Sequence, residues 1–93
     1  MSITFEWDPE KASENIQKHG ISFKEAATCF EDLLSKTIHD PDHSEDEERY
    51  VLLGMSAQAR LLVVVHTERG DNIRLISARP AKRRETAEYL QSQ

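Results

Sequence analysis

An α+β domain built on a small antiparallel sheet is what this sequence predicts, and three observations carry the prediction. Strand-like runs at Arg49–Met55, Leu61–Glu68 and Asn72–Ala78 follow one another through short connections rich in turn residues, Ser56–Arg60 and Arg69–Asp71. Such spacing favours hairpins. Helical patterns gather at the two ends of the chain instead of alternating with strands, which argues against a parallel βαβ array and for helices laid on one face of the sheet. A chain of 93 residues has room for one core, so residues 1–93 form a single domain.

The elements follow in order. Ile3, Phe5 and Trp7 alternate with polar residues, a short strand with one buried face. Asp8-Pro9 reads as an N-cap with proline at the first helical position. That helix stops at Gly20, where Lys18 and His19 complement its negative end. Ser22-Phe-Lys-Glu25 is a capping box, and Phe23, Ala26, Ala27 and Phe30 form the apolar stripe of a second helix. A short strand at Lys36–His39 precedes Asp40–Glu48, a stretch too polar to bury and therefore an exposed loop. After the three strands, Pro80 suits the first turn of a final helix over Ala81–Leu90.

Composition narrows the function classes. The net charge is −5, yet residues 1–59 carry −8 and residues 60–93 carry +3. The cationic end suits a polyanion or an acidic protein. The longest apolar run, Leu61–Val65, is far short of a membrane span. The first residues lack the basic and apolar regions of a secretory signal. The lone Cys29 offers neither a disulfide nor a zinc cluster, so the cytoplasm is the default compartment.

Several residues could carry chemistry. Arg79 stands where a strand hands over to a helix, and Lys82 and Arg83 follow at i+3 and i+4, on one side of a positive helix start. Guanidinium forks bind phosphate oxygens in pairs, and such a cluster also stabilises the charge of a phosphodiester in its transition state. Arg83, Arg84, Glu85 and Glu88 equally fit a solvated face with local ion pairs, and the pattern alone leaves both readings standing. His66, ending an aliphatic strand, is either a general acid–base or an ordinary half-buried strand histidine. Glu48 and Arg49 enter a strand as a functional or a structural pair. The Asp40–Glu48 loop lacks the glycine and the ligand spacing of a calcium site.

The combination of Phe5-Glu-Trp-Asp-Pro-Glu-Lys-Ala-Ser-Glu-Asn15, Lys18-His19-Gly20-Ile-Ser-Phe23-Lys-Glu-Ala26, Asp40–Arg49 and Ile76-Ser-Ala-Arg79…Arg83-Arg84-Glu85…Tyr89 resembles the BrnT toxins across nearly the whole chain. The resemblance implies a RelE-like ribonuclease fold with two helices in the N-terminal half and one at the C-terminal end. It implies a toxin of a type II toxin–antitoxin module that cleaves RNA without a metal or other cofactor and blocks translation. A BrnA-type antitoxin would neutralise it in a hetero-oligomer that represses its own operator. Relatives commonly carry threonine at the position of Lys82 and a basic residue at that of Pro80, so the local geometry departs from the family pattern there.

Joined to the chemistry, the resemblance makes Arg79 and Arg83 the expected phosphate and transition-state stabilisers. His66 or Glu48 is the expected base, and Tyr89 orients the site. Arg49, Arg74, Lys82 and Arg84 hold the RNA backbone. The alternative is an inactive homologue that serves only as an antitoxin-binding co-repressor.

Overall fold

The computed structural model describes residues 3–43 and 47–91; the expectation of an exposed loop lies outside the described residues at positions 44–46. The elements are β1 (Thr4–Glu6), α1 (Pro9–His19), α2 (Phe23–Thr28), β2 (Lys36–Asp40), β3 (Arg49–Met55), β4 (Leu61–Arg69), β5 (Asn72–Pro80) and α3 (Arg83–Gln91). Short 3-10 turns occupy Cys29–Glu31 and Pro41–His43.

Local chemistry explains the helix ends. The Asp8 side chain accepts from the Glu10 N–H at 2.9 Å, and Gly20 closes α1 at φ 70°, a conformation that glycine adopts without strain. Ser22 Oγ accepts from the Glu25 N–H. The capping box is only half made, because the Glu25 carboxylate turns inward instead. It accepts from Ser56 Oγ at 2.7 Å and from Arg60 Nε at 2.9 Å. Arg60 first, and Ser56 with it, hold this buried carboxyl below its usual pKa against the desolvation that raises it. The pair bolts α2 to the β3–β4 turn.

One mixed sheet runs in the order β1-β5-β4-β3-β2. β2, β3, β4 and β5 pair antiparallel, as the short connections require. β1 departs from the antiparallel expectation and lies parallel to β5, Phe5 opposite Ile73. The layers also correct the expectation of helices on one face. Leu52, Leu62, Val64 and Leu75 pack with Ile21, Phe23 and Ala26 under α1 and α2. The alternate residues Leu53 and Val63 pack with Tyr89 of α3 on the opposite face. A central strand reading Leu-Leu-Val-Val-Val is apolar on both sides, so it needs cover on both.

Two close fits set the position of β5 and of the segment after α2. Asn15, buried in α1, accepts from the Ala78 N–H at 3.0 Å. It donates to the carbonyls of Ala78 at 2.8 Å and Ile21 at 2.9 Å. This amide extends the sheet's bonding to α1 just beyond the register shift opposite Val65/His66. Gly54 lies under the Cys29–Glu31 turn, and a Cβ there would stand 3.0 Å from the Cys29 carbonyl oxygen and 2.9 Å from Leu52 Cδ2. Backbone cannot give way as a side chain can. Gly54→Ala should therefore lower unfolding stability by about 1–3 kcal/mol, measured by urea denaturation.

Candidate functional site

β5 ends later than its sequence pattern suggests. Pro80 is its last residue, not the first turn of α3. At that point β1, which pairs only with Asn72–Arg74, no longer flanks β5, so the missing proline N–H removes no ladder bond. Ala81 donates back to the Leu61 carbonyl at 2.9 Å, and α3 starts two residues on. The helical spacing expected for Arg79, Lys82 and Arg83 is therefore not what joins them.

Glu85 joins them. Its Oε1 accepts from Arg79 Nη1 at 2.8 Å and its Oε2 from Nη2 at 2.7 Å, a bidentate pair. Oε1 also accepts from the Lys82 N–H at 2.7 Å, which makes Lys82 the N-cap residue of α3 and Glu85 its third helical residue. Lys82 has no side-chain oxygen to return the bond, so this capping box is half made too. Arg79, then the Lys82 N–H, hold the Glu85 carboxyl down to about 2 although burial opposes it, and the same pair raises the Arg79 guanidinium above its ordinary value.

Arg79 Nη1 spends its second proton on the Pro80 carbonyl at 3.2 Å. No described residue takes the Nε proton or the second Nη2 proton. Those two donors form the side-on edge of the guanidinium, a fork suited to two oxygens of one phosphate. Lys82, Arg83 and Arg84 are exposed around it.

Beside this corner α3 and the sheet enclose a groove of about 430 Å³ lined by Lys36, Ile38, Val51, Val63, Glu85 and Glu88. Tyr89 packs on Leu53 and Val63 and makes no hydrogen bond to Arg79. Its hydroxyl donates to Asp32 Oδ2 at 2.6 Å, and that bond first, then burial, raises the phenol to about 12. Burial pushes Asp32 up, but the Tyr89, Met55 and Leu34 donors outweigh it and lower its carboxyl. Tyr89 thus anchors α3 to the end of the Cys29–Glu31 turn, a tie that no sequence spacing signalled.

The two acid–base candidates stand away from the arginines. His66 is fully buried on the α1/α2 face, edge-on to Phe30 at 4.8 Å and stacked on Tyr50 at 5.9 Å. Its Nε2 lies 3.0 Å from Glu68 Oε2 and its Nδ1 3.3 Å from the Val64 carbonyl. Glu48 is exposed and pairs with His39, whose ring packs against Tyr50 on that same face. Arg79, opposite Val63, lies on the α3 face. Arg49 and Arg74 share the Arg79 face, each in register with Thr67. Sequence reasoning missed Glu85 as the organiser of the corner, although its place three residues after Lys82 was the available signal.

A model of the BrnT ribonuclease toxins of type II toxin–antitoxin systems matches residues 7–85. The fold is similar to the crystal structure of the Brucella abortus ribonuclease toxin, BrnT, with a TM-score of 0.68 and 22% identity, over 88% of this chain and 100% of that one. No curated protein matches the chain. The family model spans most of the chain, from Trp7, just before the first helix, to Glu85 at the corner. This chain therefore belongs to the BrnT family, the ribonuclease toxins of type II toxin–antitoxin systems.

Proposed function

We propose that this protein cleaves RNA without a metal ion and thereby blocks translation in the cytoplasm, and that a BrnA-type antitoxin neutralises it by covering the Arg79 corner. The observation that carries the reading is the open side-on edge of Arg79, held in orientation by Glu85. In metal-free cleavage the 2′-hydroxyl attacks phosphorus as its proton passes to water, and negative charge builds on the non-bridging oxygens. The bond to the 5′-oxygen then breaks, and that oxygen takes a proton from water. Arg79 and Arg83 take that charge, and fixed donors are most effective because they need not reorganise. Arg49, Arg74, Lys82 and Arg84 hold neighbouring phosphates, and Tyr89 acts through α3. His66 and Glu48, on the far face, take no part in this reading. The antitoxin, bound in a hetero-oligomer, carries the complex to its operator DNA.

A second reading has one observation in its favour: Glu85 already neutralises Arg79. A guanidinium so paired suits an antitoxin-binding co-repressor that no longer cleaves. Expression without an antitoxin separates the two, since growth arrest supports the enzyme and unimpeded growth the co-repressor.

Purified protein should degrade RNA in EDTA, and the double variant Arg79→Ala, Arg83→Ala should lose at least about 100-fold in cleavage rate while keeping its circular dichroism spectrum. Undiminished cleavage by that variant would overturn the assignment.

Glu85→Gln should keep the fold but free the Arg79 guanidinium to swing, lowering cleavage by about 10–100-fold. Its stability cost has a pH signature. A carboxyl whose folded pKa is depressed stabilises above its unfolded value and loses that contribution as pH falls. The urea stability difference between the two proteins should be constant above about pH 5 and shrink toward about pH 2.

A further inference from the structure

One row of side chains crosses all five strands on the face that carries Arg79. Asp40 of β2 stands opposite Arg49 of β3, Arg49 opposite Thr67 of β4, Thr67 opposite Arg74 of β5 and Arg74 opposite Glu6 of β1. Directly opposed residues share a face, so two arginines flank one threonine and two acids close the ends. Thr67 is only 1% exposed, and its Oγ1 has no hydrogen-bond partner among the described residues.

An orphaned buried hydroxyl is costly, and a ladder of ion pairs does not explain it. Asp40 and Glu6 sit on the outer strands, beyond the arginines, and neither neighbours Thr67. Valine would fill the same β-branched space without an unmet donor. A phosphate over the centre of the row would use what is there, taking a proton bond from Thr67 Oγ1 and guanidinium bonds from both sides.

We infer that Arg49, Thr67 and Arg74 form a second phosphate subsite, which binds the RNA backbone away from the bond that is cut. It rests on the reading of the protein as an RNA-cleaving toxin. The row of Thr67 and the row of Val63 and Arg79 are four residues apart along β4, about 13 Å at the rise of a strand. The single row between carries Ile38, Val51, Val65 and Ser77, none of them charged, and the nearby acids Glu85 and Glu88 stand across the groove on α3. An RNA strand running from Thr67 to Arg79 at the edge of α3 meets two cationic rows in succession.

Thr67→Val separates the ligand role from a structural one. With a fully 2′-O-methylated RNA, which cannot be cut by 2′-hydroxyl attack, the variant should bind about tenfold more weakly while its thermal midpoint stays level or rises. Arg74→Gln should lessen the slope of log affinity against log salt by about 0.7, one phosphate contact on a single strand. If the wild type binds and Arg79→Ala weakens it, but Thr67→Val and Arg74→Gln bind as the wild type does, the subsite is refuted and the toxin reading stands. If the wild type binds no RNA, both are refuted.

Discussion

The cationic end of this molecule depends on one carboxylate. Glu85 closes the first turn of α3 through the Lys82 N–H and grips the last arginine of β5 with both oxygens. Remove its charge and the helix start and the guanidinium lose their common reference. The pairing also explains how several basic groups tolerate one another at a strand end. One acid neutralises the innermost, and Lys82, Arg83 and Arg84 remain in water.

The sheet works as a partition. Its central strands are apolar on both sides, so the face under α1 and α2 is sealed, and the face under α3 is covered only near Leu53 and Val63. Titratable residues fall on either side according to the parity of the β4 position they occupy or oppose. His66 has even parity with Leu62 and Val64 and is sealed among Phe30 and Tyr50. The arginines facing the open side stand opposite odd-numbered β4 residues.

Much of this was legible in the sequence because it rests on local chemistry. Asp8-Pro9, Gly20 and Ser22 state their helix ends, and the hairpin strands state their extent to within two residues. What the sequence left unread depends on contacts distant along the chain. Nothing near Thr4–Glu6 tells that it will lie parallel to β5. Nothing near Tyr89 names Asp32 as its acceptor. His66 is legible only as the end of an aliphatic strand, and its relation to Arg74 and Arg79 depends on the pairing of β4 with β5 and the register shift at Val65/His66. Glu25 shows the same limit from the other side. It satisfied a local rule as the fourth residue of a capping box, and a distant arginine took its carboxylate.

The pairing of β1 with β5 bears on when the molecule comes into being. β2 through β4 are near neighbours along the chain and can associate early, whereas Phe5 must wait for Ile73 of β5 to be synthesised. Arg79 and Glu85 come later still. A ribosome that translates this chain therefore carries helices and half a sheet for most of the synthesis, and the arginine corner is assembled only near the end. An antitoxin already present would meet that corner at the moment it forms.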